Sequence, residues 1–354
     1  MIEHGRGVRY TAISHDDRTM LSVGGDQTIL MMGLVERRVF GHAHAHSSSI
    51  YDMDISPDDS MIASSGMDMT VRLTDATTLK EIRTLRHHDD TINSVCFSPD
   101  GRFLASGGMD SQIKVVDLRD DYSIYLNVPG EGWTTVYCVR FSPDSKRIAF
   151  TADNAVRVWD LESRTELYAM EGHTKIVRSL SFAPKDPDRL YSGGHDRCIR
   201  AWDLTTGKEI GKLEGHNNFV LRVQTTPDGK YLVSSSSDTT VRIWNLDSLT
   251  PLSVMNGHTG YSKGLHVSQC GQYVLSGGLD KQVIVWDMKT KKRLAVLLDE
   301  NIKFNCVRIR SDLKKIYAAG EGVHDIKCWL FITDDEMVAA RGSPLVHNFK
   351  RYIR

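Results

Sequence analysis

Three sets of residues in this chain carry a hydroxyl, an imidazole and a carboxylate. They are His173, Ser192 and Asp196; His216, Ser234 and Asp238; and His258, Ser276 and Asp280. A serine beside a histidine that is oriented by an aspartate is the arrangement of acyl-transfer catalysis. Each Asp stands six residues before a Trp, namely Trp202, Trp244 and Trp286. His46/Ser64/Asp68, His88/Ser106/Asp110 and His4/Ser22/Asp26 repeat the polar set without the Trp. A nucleophile needs one exposed Ser, one base and one oxyanion site. A set that recurs along the whole chain is architecture, so no catalytic residue is assigned and no enzyme is expected.

The elements that position these residues are short strands. In Ser192–Val220 the alternation of Ile199, Ala201 and Leu204 with Arg200, Trp202 and Asp203 has the period of two expected of a strand. Gly193-Gly194 before Asp196 reads as turn chemistry, with Gly accepting positive φ. Trp159, Trp202, Trp244 and Trp286 are 43, 42 and 42 residues apart, and His173, His216 and His258 each follow a Trp by 14. Met32, Thr74 and Val116 keep the same register where the Trp is lost, and Trp329 stands 43 after Trp286. Three markers held in one register define a repeat of about 42 residues. Turns such as SPDD (56–59) and SPDG (98–101) join first strands to second strands rich in β-branched residues, and no helix is called for.

The Gly-His…Asp…Trp-Asp pattern, seen at Gly172-His173, Gly215-His216 and Gly257-His258 and ending in Trp159-Asp160, Trp202-Asp203 and Trp286-Asp287, resembles the WD-repeat β-propellers. Trp244-Asn245 departs conservatively. The resemblance implies an all-β fold, a single propeller of four-stranded antiparallel blades. Eight in-register positions predict eight blades, with seven the alternative. The propeller is expected to span 1–341, with 342–354 a basic tail carrying Lys350, Arg351 and Arg354. Too few residues precede His4 to donate an outer strand, so Glu336 to Ala340 is expected to complete blade 8 without interlocking closure. The family also implies a hydrogen-bond chain in each blade from Trp to Ser to His to Asp. Blade 4 has Gly132 in place of the His, so Thr151 is expected to tolerate substitution better than Ser234 does in blade 6.

In the family, partners commonly meet the residue five after the His and the residue just before the Asp. Carried over, the first set is Arg9, Tyr51, Asn93, Tyr137, Arg178, Leu221, Lys263 and, by strand alignment, Asn305. The second is Gly25, Met67, Met109, Ala152, His195, Ser237 and Leu279. Tyr51, Met67, Met109, Trp133 and Tyr137 concentrate adaptable apolar side chains on blades 2 to 4, the chemistry of interface anchors. A scaffold binding peptide or protein partners within a multiprotein complex is therefore the leading reading. The alternative is a substrate receptor of a cullin-RING ubiquitin ligase, because Asp117-Leu118-Arg119 resembles the Asp-x-Arg ending that docks on its adaptor, although the fuller motif's Trp is missing.

Composition bounds the rest. A formal net charge of −1 gives no case for direct nucleic-acid contact, and no apolar run is long enough for a membrane helix. Six Cys without a CxxC pair read as small core thiols, with Cys96, Cys138 and Cys306 placed in strands. A reducing cytoplasmic or nuclear setting is the expectation. His42, His44 and His46 alternate as the ligands of a metal on an extended segment would, yet the register claims His46 and leaves the others in an exposed loop. No metal or cofactor is assigned. Lys289, Lys291, Lys292 and Arg293 read as a solvated turn.

Overall fold

The computed structural model describes residues 4–35, 38–120, 122–127, 134–322 and 326–330. Their strands form eight antiparallel sheets, seven of four strands and one of three. The sheets span 8–44, 50–85, 92–127, 139–170, 177–213, 220–255, 262–298 and 302–330, and they are blades 1 to 8 in chain order. No helix occurs among the described residues. The eight-bladed expectation therefore holds, down to blades 1 to 3, which lost the Trp. Met32, Thr74 and Val116 are still buried at its place.

The first three strands of a blade are joined by tight turns, so strand ends alternate between two faces of the disc. The first-to-second and third-to-fourth turns share one face. The second-to-third turns and the links to the next blade share the other. Because each strand has one side facing each neighbouring blade, the core lies between blades rather than within them. Val220, Leu232 and Trp244 of blade 6 pack on Tyr191, Ile199 and Ala201 of blade 5, all at 5% exposure or less.

The innermost strands are also tied to one another around the axis. Asp52 and Asp54 of blade 2 accept the backbone N–H of Val95 (3.2 Å) and Phe97 (2.8 Å) in blade 3. Ser179 and Ser181 of blade 5 do the same for Val223 and Thr225, both at 3.1 Å. These side chains satisfy strand donors that face the channel, where no sheet partner reaches. Burial in that wall pushes the Asp54 carboxyl up to about 6 against the lowering effect of the Phe97 hydrogen bond and of Arg140.

The ring closes by side-chain packing. Met20, Met32 and Leu34 of blade 1 bury against Tyr317 of blade 8. Thr11 donates to Cys306 Sγ at 3.1 Å, and Lys315 Nζ donates to the Leu34 carbonyl at 2.6 Å. Residues 4–7 are irregular and pair with no strand of blade 8. The expected fourth strand at 336–340 and the basic tail at 342–354 lie outside the described residues, as does Trp133.

Candidate functional site

The polar sets take the same form in six blades. In blade 6 the Trp244 indole donates to Ser234 Oγ (2.9 Å), Ser234 meets His216 Nε2 (2.7 Å), and His216 Nδ1 meets Asp238 (2.8 Å). Blades 5 and 7 match it through Trp202, Ser192, His173 and Asp196, and through Trp286, Ser276, His258 and Asp280, with every link between 2.8 and 2.9 Å. Blades 1 to 3 keep the His–Ser and His–Asp links at 2.8–2.9 Å. With the Ser proton given to Nε2, the order is that of a hydrolytic relay. Yet Ser22, Ser64, Ser192, Ser234 and Ser276 have no exposed surface at all, so no substrate reaches them.

What the relay does is fasten the chain. Each Asp also accepts the backbone N–H after the His, as Asp238 does from Asn217 at 2.9 Å, and the N–H two residues on, as from Thr240 at 2.9 Å. The turn differs from the expectation at Gly193-Gly194. Positive φ falls on the residue after the Asp, at Arg197, Met69, Ser111 and Thr239. Gly194 instead gives room, because a Cβ there would lie 2.9 Å from His173 Nδ1 and 3.0 Å from Asp196, although blade 6 accommodates Ser236 at the same place.

Blade 4 also departs from expectation. Thr151, in the serine position, accepts the backbone N–H of Tyr137 (3.0 Å) and Cys138 (3.1 Å). Main chain takes the place of the missing His, so Thr151 has hydrogen-bond partners of its own and, against the expectation of tolerance, should be sensitive to loss of its hydroxyl. Thr151→Val should cost about 1–3 kcal/mol, because two buried donors lose their acceptor, while Thr151→Ser should be nearly neutral. Urea midpoints of the two variants would check this.

The network carboxylates predict a loss of stability in acid. Burial raises the Asp26 carboxyl, but the His4 hydrogen bond and charge and the Gly5 N–H outweigh it and hold the group at about 2, against 3.8 in solution. Asp68, Asp110, Asp196, Asp238 and Asp280 are lowered by the same combination. A depressed carboxylate contributes stability that is complete above its unfolded value and is lost as pH falls toward its folded one. Melting temperature should therefore decline steeply below about pH 4. A flat profile between pH 5 and 3 would contradict this account.

The family-derived contact residues converge at one end of the channel. All eight of the first set line a cavity of about 330 Å³ with Tyr10, Asp52, Met109, Arg140 and Arg222. The pairing registers show why. In blade 2, Ile50 pairs with Gly66 and Asp52 with Ser65, so Tyr51 is an extra, unpaired residue. Arg9, Asn93, Arg178, Leu221, Lys263 and Asn305 are skipped likewise. A β-bulge re-aims the residue it leaves unpaired, and here seven bulges turn seven side chains into one mouth. Tyr137 reaches it from just ahead of a shortened first strand, Val139–Phe141.

The second set separates. Met67 (47% exposed) and Met109 (36%) project on this face, His195 is half-buried, and Ala152 and Ser237 are buried. Phe219 and Tyr261, three residues after their histidines, add exposed aromatic surface on blades 6 and 7, and Phe219 stacks on His195 at 4.3 Å. Both lie outside the two repeat positions carried over from the family, so the exposed apolar surface is not confined to blades 2 to 4. The guanidinium of Arg178 lies 4.5 Å from the Tyr137 ring centre and that of Arg9 lies 5.7 Å from that of Tyr51. Burial lowers Arg178 from its ordinary value, with Arg222 adding to the effect against the pull of Tyr137.

Other candidates find plainer places. Asp117 is buried and paired to Arg102 (2.7 Å), and its other oxygen accepts the Arg119 N–H while the Arg119 side chain is exposed. His42 and His44 lie on the outer strand Arg38–His44, not in a loop, and project to solvent, away from buried His46. No cluster of metal-ligating side chains occurs among the described residues. Cys138 is buried one residue ahead of its strand rather than in it. Lys291 folds back over the Tyr231 ring at 4.7 Å, on the face away from the mouth.

Comparison with known proteins agrees with this geometry. The family model described as WD domain, G-beta repeat matches residues 37–75, 79–117, 126–160, 164–203, 207–245 and 249–287. WD repeat-containing protein VIP3 of Arabidopsis thaliana is 53% identical over 95 residues, which is 27% of this chain and 30% of that protein. The match thus spans under a third of that relative's length. The crystal structure of the computationally designed Ika8 protein superposes with a TM-score of 0.82 at 23% identity, covering 94% of this chain and 98% of that one, a likeness of fold. The repeats, the blade geometry and the family match together place this chain in the WD40 repeat family.

Proposed function

We propose that this protein is a non-enzymatic interaction scaffold that holds a peptide or protein partner across the channel mouth. WD40 propellers commonly serve as interaction scaffolds, and the reading is specific about the face. The observation that carries it is the set of seven bulges that direct seven side chains into one cavity. A bulge re-aims its residue, and although the bulge recurs as architecture, the residues it re-aims differ from blade to blade (Arg9, Tyr51, Asn93, Arg178, Leu221, Lys263, Asn305), as suits a recognition surface rather than a repeated structural contact. Exposed Met67, Met109, Phe219 and Tyr261 around that mouth are apolar surface of the kind a partner covers.

A photo-crosslinking amino acid placed at Met109 on the mouth face, and separately at Lys292 on the opposite face, tests the reading. Crosslinks to one discrete partner should form from position 109 and not from 292. The reverse pattern would move the partner site to the other face.

A further inference from the structure

The charge at the mouth is lopsided. Arg9, Arg140, Arg178, Arg222 and Lys263 line it with a single carboxylate, that of Asp52, in a protein whose formal net charge is −1. Two of the five cations already hold an anion. Glu321, at the edge, is gripped by Arg9 (3.4 Å), Lys263 (3.6 Å) and the Asn305 amide (3.2 Å), all three from bulge positions. Across the mouth Arg178, at the bulge of blade 5, and Arg222, next to the bulge residue Leu221 of blade 6, have no such partner. Arg178 and Arg222 form no ion pair among the described residues, and each rests against a tyrosine ring, Arg178 on Tyr137 at 4.5 Å and Arg222 on Tyr10 at 6.0 Å. Asp52 is felt by both Arg140 and Arg222 and offsets part of their charge, but it does not pair with Arg178. The Arg178 and Arg222 guanidinium groups feel each other's charge, an arrangement that an added anion relieves.

We propose that the mouth receives a carboxylate-bearing side chain of an extended acidic segment of a protein partner, held between Arg178 and Arg222. The segment's apolar neighbours would lie on the surrounding Tyr137 and Phe219. This rests on the reading of the mouth as the partner site and adds the chemistry it selects. The grip on Glu321 shows the fit within the molecule itself: bulge-position side chains reach a carboxylate from three blades at once. Guanidinium donors favour such an anion through charge-assisted hydrogen bonds, strengthened where water is partly excluded. Nucleic acid suits the site poorly. The cations are sunk in a cavity of about 330 Å³ rather than spread as a stripe that follows a phosphate backbone.

The test is a selection of random twelve-residue peptides displayed on phage against the intact protein, followed by titration of synthetic copies. The expected result is that recovered peptides share an Asp or Glu at a fixed position. Replacing it by Asn or Gln, or making Arg178→Gln, should each weaken binding about tenfold, as the loss of a charge-assisted contact does. Arg178 keeps an exposed surface at the mouth and donates no hydrogen bond among the described residues, so the variant should keep the wild-type melting temperature. Arg222→Gln serves as the second variant and should give a similar loss.

Peptides without an acidic residue that are nevertheless lost on Tyr51→Ala and Tyr137→Ala would overturn the proposal while leaving the mouth as the partner site. Peptides indifferent to those tyrosines and to Arg178 would overturn both. A phosphoserine placed at the acidic position and binding more than tenfold tighter would show a phosphate site, against the carboxylate assigned here. Recovery of no peptide at all would also count against it.

Discussion

Replacing Trp244 by Ala is expected to lower the unfolding free energy by about 3–5 kcal/mol, the largest single-site loss anticipated in the propeller. The side chain has no exposed surface, fills the seam between blades 5 and 6, and donates its indole N–H to Ser234. Truncation removes its packing and leaves a cavity. Trp244→Phe keeps most of the volume and deletes the donor, so its loss should be nearer 1–2 kcal/mol. Trp159 provides the comparison. It holds the same repeat position in blade 4, where there is no His–Ser pair, and it is only half-buried. Trp159→Ala should therefore cost clearly less. Equal shifts in urea midpoint at 159 and 244 would show that repeat position alone, and not the network, sets the contribution.

The second large effect is on binding. Tyr51→Ala and Tyr137→Ala are each expected to weaken partner affinity by more than about 1 kcal/mol, roughly fivefold or greater, with the melting temperature nearly unchanged. Both rings are half-buried at the mouth and support Arg9 and Arg178 from the side. Their loss removes apolar contact area and lets two cations drift. Phe219→Ala and Tyr261→Ala should share the effect, because they continue the apolar rim onto blades 6 and 7. Lys292→Ala, exposed on the opposite face, should bind normally. Isothermal titration against the crosslinked partner decides it. Normal binding by both tyrosine variants together with a loss at Lys292 would put the working face at the other end of the channel.

These expectations draw on the sequence unequally. The number of blades, the strand positions and the polar networks were legible in the chain, for a definite reason. The His, Ser, Asp and Trp of one network lie within about 30 residues, inside a single repeat, so their spacing alone fixes their meeting. Blades 1 to 3 were legible without the Trp because 42-residue register outlasts any one residue type. Turn chemistry was only half legible. A glycine before the Asp signals a tight place, but whether it supplies positive φ or room for an imidazole depends on where the His ring comes to rest.

The repeat register named eight residues of the mouth, but their meeting in one cavity, and the company of Arg140 and Arg222, belonged to tertiary structure. Residues at Arg9, Tyr51, Arg178, Arg222 and Lys263 are separated by whole blades, and nothing local brings them together until the ring closes. Alternation along a strand assigns Arg9, Tyr51, Arg178 and Lys263 to one blade face, so only the bulge, a property of pairing between two strands, turns them toward the axis instead. The excess of cations there is invisible in a chain of net charge −1, because the balancing carboxylates are spent on turns and networks at the blade edges. Thr151 makes the same point on a smaller scale. The missing His suggested tolerance at this position, and only the fold showed two backbone donors bonded to its hydroxyl. Period and propensity are carried by neighbours in the chain, whereas recognition surfaces are made by residues that the chain keeps apart and the packing unites.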